Sequence, residues 1–196
     1  AEKLGKIYYQ ISRKHVNRIE ITYCGEAAGL NIKLLTLSFL RGFLSNISDR
    51  TVNFVNSYVV AKDFGIDIVE STSDKCDNYT SLINARIYSG DRCTTFSGTV
   101  FGSSDIRITE IMGYAIEVVP EKYLLLINNK DKPGYVGRIG TILGNADINI
   151  ATMRVGRKNR GDIALMAITI DENVPWDILE SIKKMDGIFQ TKLIEF

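Results

Sequence analysis

The sequence predicts an α+β protein made of two domains, residues 1–120 and 121–196. Up to residue 65, and apart from one strand, apolar side chains recur at the three- and four-residue spacing of amphipathic helices. From residue 66 onward the spacing changes to two, which is typical of strands. The second half then alternates strand, helix, two strands, helix and strand. A short polar stretch, residues 120–122, is the predicted domain boundary.

The first domain is predicted to begin with helices. Residues 1–12 place their apolar side chains on one helical face, and residues 16–23 alternate as a strand. A second helix is predicted over 31–47, with Asn31 as its N-cap, and a third over 52–64, with Gly65 ending it. The positions expected to face the core in these two helices are Leu34, Leu37, Leu40, Phe43, Leu44, Val55, Val59 and Val60.

The rest of the first domain is predicted to be an antiparallel meander. A strand begins at residues 66–69, and further strands cover 82–88, 92–101, 105–112 and 114–119. Glycine-containing turns near residues 90, 102 and 113 separate the later strands. Helices early and a meander late are the pattern of an α+β domain.

The second domain has a clear order of elements. Strands are predicted over 123–129, 148–156, 163–171 and 188–195, and helices over 134–145 and 175–185. The turn 157–162 contains Gly161, a hairpin signal, and Pro175 lies at a helix start, where proline is tolerated. The resulting βαββαβ order predicts a ferredoxin-like fold.

Charge and cysteine content argue against several classes of function. The 196 residues carry a formal net charge of +1, which gives no basis for binding nucleic acid or an anionic membrane. Cys24, Cys76 and Cys93 form no C-x-x-C pair, so we expect free thiols in a reducing cytoplasm. No apolar run reaches the roughly 18 residues of a membrane span. The chain starts at Ala1 rather than at a methionine, which suggests an internal fragment of a longer protein, although processing of the N-terminus would look the same.

No pattern of catalytic residues stands out. The chain has no G-x-G-x-x-G motif after a strand, so no dinucleotide site is predicted. The single histidine, His15, follows Arg13 and Lys14, which favours a solvated side chain over a general base. No cluster of Cys and His residues has metal-ligand spacing. The sequence therefore predicts a binding module with no catalytic residue, metal or cofactor of its own.

The segment most suggestive of binding is the polar loop 128–137, followed by residues 147–150. Pro133 and Gly134 suit a tight turn into a helix, and Asp131 is expected to accept hydrogen bonds from the first helical N–H groups. One helix separates this loop from Asn149, and we expect both at the same end of the sheet. Two interpretations stay open, an ordinary strand–helix turn and a site for a small zwitterion.

These residues resemble a known family. The pattern D-x-P-G-x-x-G at 131–137, followed by I-N-I at 148–150, is similar to the ACT domain, a regulatory module that binds amino acids. It is most similar to the C-terminal ACT domain of the D-3-phosphoglycerate dehydrogenase family, which binds L-serine. Residues 1–5, 52–56 and 98–102 resemble the intervening, or allosteric substrate-binding, domain of the long-form enzymes. Together these motifs extend over nearly the whole chain.

The resemblance implies specific roles. L-serine would be the feedback effector, NAD the cofactor of catalytic domains absent from this sequence, and ACT domains would join a homo-oligomer. If the ACT domains pair side by side, we expect Asp131 of one chain and Asn149 of its partner to contact one serine. In the long-form family the first domain can hold a phosphate-bearing ligand, and Arg107 falls at such a basic position, although a solvated or ion-paired arginine is the alternative. The full set of effector positions that the resemblance implies is Asn129, Asp131, Gly134, Tyr135 and Asn149.

Two other functions compete with effector binding. The two domains would, in one alternative, only hold a dehydrogenase tetramer together. In the other they would regulate an iron–sulfur L-serine dehydratase, whose family also carries related domains. The sequence offers no cysteine cluster for an iron–sulfur centre, so this alternative ranks last.

Overall fold

A computed structural model describes residues 1–45, 47–48, 50–76 and 78–196, and the chain divides into two compact units, Ala1–Gly113 and Tyr114–Phe196. The α+β class is confirmed in both units. The predicted domain boundary at residue 120 stays a prediction. Within the described residues, no helix combines the length and the apolar character needed to cross a membrane.

Within its described residues, the first unit contains three helices, a short 3₁₀ helix at Glu26–Gly29 and five strands. The helices are α1 (Glu2–Ile11), α2 (Ile32–Leu44) and α3 (Ser57–Asp63), and the strands are β1 (Arg18–Gly25), β2 (Asp67–Ser73), β3 (Ser81–Ser89), β4 (Arg92–Phe101) and β5 (Asp105–Ile111). The strand order is β2-β1-β3-β4-β5. Strands β1 and β2 run parallel. The β1–β3, β3–β4 and β4–β5 pairs are antiparallel, so the predicted meander is confirmed for β3, β4 and β5.

Helices α1 and α2 approach each other at two glycines. A Cβ added to Gly5 would lie 2.1 Å from the backbone oxygen of Phe39, and one added to Gly42 would lie 2.1 Å from that of Glu2. Neither position therefore has room for a methyl group. Apolar periodicity does not single out either glycine, because a glycine inside a helix is usually only unfavourable.

The prediction for the buried face of α2 is partly wrong. Leu40, Phe43 and Leu44 are buried, as predicted, but Leu34 is 50% exposed. The inward stripe instead includes Thr36, whose hydroxyl hydrogen-bonds the buried Tyr23 hydroxyl at 2.7 Å. A threonine whose hydroxyl is hydrogen-bonded can thus be buried in the core, and apolar periodicity alone does not predict this. Asn31 caps α2 as predicted and accepts a hydrogen bond from Leu34 N. The predicted end of this helix includes Asn46, which lies outside the described residues.

The third predicted helix is shorter than its apolar pattern indicated. The Asn53 side chain accepts hydrogen bonds from Val55 N and Asn56 N, and the Asn56 side chain accepts one from Asn53 N. Such side-chain bonds compete with helical ones, so residues 53–56 form a turn and α3 begins only at Ser57. As a result Val55 and Val59 are exposed, contrary to prediction. Val60 is buried, and Gly65 follows the helix with φ of 72°, both as predicted.

The second unit has the ferredoxin-like fold, as predicted. It comprises strand β6 (Tyr114–Val118), then β7 (Tyr123–Lys130), α4 (Tyr135–Asn145), β8 (Ile150–Arg157), β9 (Ile163–Ile170), α5 (Trp176–Lys183) and β10 (Ile188–Glu195). Its four-stranded sheet has the order β10-β7-β9-β8, so β8 and β10 are the edge strands. The core lies between this sheet and the two helices, with residues such as Ile127, Ile139 and Ile168 fully buried.

Candidate functional site

The loop between β7 and α4 turns at Gly134. This glycine has φ of 95° and is the N-cap of α4, with no side-chain hydrogen bond to the helix. Only glycine adopts this backbone conformation readily, so the predicted tight turn is confirmed. The first N–H groups of a helix have no acceptor inside it. The N–H groups at Tyr135 and Val136 are therefore the donors that this loop offers to an anion.

Asp131 does not cap the helix, contrary to the sequence-based expectation. Its Oδ2 accepts a hydrogen bond from Gly161 N at 2.9 Å and one from Arg157 Nη1 at 3.4 Å. Asp131 thus joins its loop to the β8–β9 hairpin. The N-cap of α4 is Gly134, three residues after Asp131. The hydrogen bond from Gly161, together with the Arg157 guanidinium, lowers the pKa of Asp131 below its ordinary value.

Asn129 is a buried amide with one unsatisfied atom. Its side chain is 2% exposed and lies on the same face of β7 as the core residues Leu125 and Ile127. The Nδ2 group donates to Lys130 O at 2.6 Å, whereas Oδ1 has no hydrogen-bond partner among the described residues. A buried acceptor without a donor is costly, so a group that donates to it would stabilise this end of β7.

Tyr135 anchors the start of α4. Its ring is buried, and its hydroxyl donates to Asp186 O at 2.9 Å. Gly187 is required beside it, because a Cβ there would lie 1.8 Å from the Tyr135 hydroxyl oxygen. The side chain is therefore structural, and only the Tyr135 backbone is available for the predicted effector contact.

Asn149 lies just before β8, at the opposite end of the sheet from Asp131. In the strand register, Lys130 pairs with Ile163 at the start of β9, whereas Ile150 pairs with Ile170 at its end. The expectation that both residues share one end is therefore wrong. Strands β7 and β8 run in the same direction with α4 returning between them, so the end of β7 and the start of β8 lie at opposite ends. The two sites are separated by about 20 Å of strand.

Acidic side chains surround Asn149. Its Nδ2 donates to Asp171 Oδ2 at 2.6 Å, and its backbone N–H donates to Glu172 Oε2 at 3.0 Å. These bonds orient the exposed amide at the edge of the sheet. The Asn149 side-chain oxygen is left as an acceptor.

Arg157 is a site residue that no sequence motif indicates. It lies at the end of β8 and contacts Asp131, and Lys158 beside it stacks over the Tyr114 ring at 4.9 Å from the centroid. The sequence predicts only a turn at 157–162. The run of positive charges at 157–160 is the sequence feature that could have indicated a contact with a carboxylate such as that of Asp131.

Other candidate residues are placed as follows. Arg107 is half-buried and forms an ion pair with Asp105, so its role as an anion-binding residue stays a prediction. His15 is exposed, as expected. Cys24, Cys76 and Cys93 form no disulfide within the described residues. In the same described part of the chain, no three His, Cys, Asp or Glu side chains converge as metal ligands.

Comparisons with known proteins match both units. The family model described as the D-3-phosphoglycerate dehydrogenase intervening domain matches residues 1–112, and the ACT domain model matches residues 123–187. The chain belongs to the D-3-phosphoglycerate dehydrogenase family. The resemblance seen in the sequence motifs is thereby confirmed.

Three relatives named D-3-phosphoglycerate dehydrogenase illustrate the match. That of Methanocaldococcus jannaschii is 35% identical over 99% of this chain, and that of Bacillus subtilis is 37% identical over 100%. That of Archaeoglobus fulgidus is 34% identical over 100%. The chain spans 37% of the length of each of these relatives. It therefore corresponds to the C-terminal regulatory region of the family.

Proposed function

We propose that this chain is the serine-sensing and assembly region of an NAD-dependent dehydrogenase that oxidises 3-phosphoglycerate. The observation that carries the proposal is the placement of Asp131 and Asn149 at opposite ends of one sheet whose edge strand is β8. If two copies pair through their β8 edges about a two-fold axis, the two β8 strands run antiparallel. Each end of one sheet then lies beside the opposite end of the partner's sheet. Asp131 of one copy then comes close to Asn149 of the other.

The groups at this paired site match the functional groups of L-serine. The Asp131 carboxylate suits the ammonium group, and the N–H groups at the start of α4 suit the carboxylate. The Asn149 side-chain oxygen of the partner can accept a hydrogen bond from the same ammonium group or from the serine hydroxyl. The unsatisfied Oδ1 of Asn129 is a further acceptor near Lys130. Binding would then be linked to pairing, and serine would favour one arrangement of the paired domains.

Edge pairing makes a direct prediction about assembly. We expect the chain to self-associate, and Val155→Lys on β8, where Val155 is 47% exposed, to weaken that association strongly. Like charges facing each other across a two-fold edge are unfavourable. Sedimentation equilibrium measures the association. The matched control is Phe189→Lys on the other edge, β10, where Phe189 is 56% exposed. A wild-type monomer at high concentration, or equal effects of the two variants, would contradict the β8 interface.

Arg157 is expected to compete with the ligand for Asp131. Its guanidinium lies 3.4 Å from the carboxylate oxygen that the serine ammonium would use. Arg157→Gln removes that positive charge, so we expect serine affinity to rise roughly three- to tenfold, corresponding to about 1 kcal/mol. Calorimetric titration of L-serine measures this change. Lys184→Gln, at an exposed position just after α5 and away from β8, is the control. A weaker affinity in Arg157→Gln would show instead that Arg157 holds the serine carboxylate.

The chain alone is expected neither to bind NAD nor to oxidise 3-phosphoglycerate. The sequence contains no dinucleotide motif, and the chain spans only 37% of the relatives' length. Equilibrium dialysis with NAD and a coupled absorbance assay measure the two activities. Turnover by the purified chain would refute this assignment.

A second candidate function is structural. The carboxylate of Asp131 already has two partners, and Asn149 is held by Asp171 and Glu172. In this alternative the domains join catalytic subunits and bind no effector. Serine titration separates the two functions, because a purely structural module shows no heat of binding. The iron–sulfur dehydratase alternative receives no support from the relatives above, all of which are named as dehydrogenases.

A further inference from the structure

The first unit contains an apolar cavity of about 380 Å³ that the serine site does not involve. Its floor is the helix-facing side of three strands. Ile83, Gly98 and Ile108 are directly paired across β3, β4 and β5, and Val100 pairs with Ile106 in the next row. Directly paired residues point to the same face of a sheet, so these five positions form one continuous surface.

The walls of the cavity come from the helical layer. Leu4 of α1, Leu35 of α2, Ala27 of the 3₁₀ helix and Leu30 directly after it line the cavity. Gly98 fits the floor closely, because a Cβ there would lie 3.2 Å from Leu4 Cδ1. The helices leave the last row of the sheet uncovered, and Val100 and Ile106 are 43% and 42% exposed. The cavity is therefore open at the end of the sheet.

Three charged side chains line the same cavity, Lys3, Glu26 and Arg107, and Arg107 is ion-paired with Asp105. Glu26 is exposed and Lys3 is half-buried, so both lie towards the solvent side of the apolar walls. A volume of this size lies in the range of small-molecule pockets, which combine mainly apolar walls with a few polar groups that orient the ligand. With Arg107 paired to Asp105, Lys3 and Glu26 are the cation and the anion that a zwitterion requires.

We infer that this cavity binds an α-amino acid with an apolar side chain. The apolar body would lie on the floor formed by Ile83, Val100 and Ile108. The carboxylate would lie near Lys3 and the ammonium group near Glu26. This site is independent of the serine site, because every residue that forms it belongs to the first unit.

The probe for this inference is L-leucine, titrated into the wild-type chain by calorimetry. We expect saturable binding that weakens at least about tenfold in Glu26→Gln, because the ammonium group loses its counter-charge. Val100→Asp, which places a charge on the exposed rim of the apolar floor, should weaken binding to a similar degree. The matched control is Asp91→Asn, an exposed acid in the β3–β4 turn outside the cavity, and it should leave binding unchanged.

Two further ligands test the chemical class. 4-Methylpentanoate has the apolar body and carboxylate of leucine without the amino group, and it should bind at least about tenfold more weakly. In backbone NMR spectra, leucine should shift resonances at residues 81–83 and 98–108, whereas L-serine should leave these unchanged. Three results would each overturn the inference: no leucine binding, equal binding in wild type and both variants, or equal binding of 4-methylpentanoate. None of these results bears on serine binding in the second unit, so failure of one proposal is distinguishable from failure of the other.

Discussion

Replacing Gly42 with alanine is expected to destabilise the first unit by more than about 3 kcal/mol, because the new methyl group would overlap the Glu2 backbone. A Cβ at this position would lie 2.1 Å from Glu2 O, a backbone atom of the first residue of α1. Gly5→Ala should act in the same way from the other helix, through Phe39 O. Helix propensity alone would favour alanine at both positions, so the expected sign is opposite to the intrinsic preference.

Urea unfolding followed by far-ultraviolet circular dichroism measures this effect. Gly29→Ala is the control, since nothing lies within 4 Å of a Cβ added there. It should leave stability unchanged or slightly improved, because alanine reduces the entropy of the unfolded chain. An unchanged midpoint in Gly42→Ala and Gly5→Ala would mean that α1 and α2 do not cross with their backbones in contact.

Asp131→Ala and Asn149→Ala are each expected to weaken L-serine binding at least tenfold while the fold survives. Loss of a charge-assisted contact costs roughly 1.5–3 kcal/mol. Calorimetric titration of each variant measures the loss. Asp177→Ala and Asn159→Ala, two exposed positions outside the proposed site, are the matched controls.

A mixing experiment tests whether the site is formed by two chains. In a mixed pair of the two variants, one site carries both substitutions and the other carries neither. Equal amounts of the two chains, unfolded together and refolded, should therefore recover about a quarter of the wild-type serine sites. A site within one chain would recover none. Unchanged affinity in both single variants would refute the site assignment, and no serine binding in the wild type would favour the structural alternative.

The elements of the second unit were predicted well because each has a clear apolar period. The boundaries of α4, β9 and β10 fall within about two residues of the predicted ones, since strand and helix periods alternate there without interruption. The prediction failed at Val55, where asparagine side chains form a turn within a helix-like apolar pattern. Local hydrogen bonds of this kind are invisible to apolar periodicity.

The sequence identified the polar loop 128–137, but it did not predict where Asn149 lies relative to that loop. The motif residues Asp131 and Asn149 were identified, while their placement at one end of the sheet was wrong because strand direction was not followed through α4. Arg157 was missed because its contact with Asp131 spans 26 residues of sequence. The close approach at Gly5 and Gly42 was missed for the same reason: it depends on a helix pairing that no local pattern contains.

The bond between Gly161 and Asp131 also determines how the loop responds to acidity. Because it lowers the pKa of Asp131 in the folded state, the stability it contributes is present above the ordinary aspartate pKa and is lost only as pH falls through the lower folded value. The carboxylate therefore keeps its charge throughout the range from about pH 5 to 8. Within that range, the charge that Asp131 offers to a ligand would not change with pH, so occupancy of the site would follow the ligand concentration.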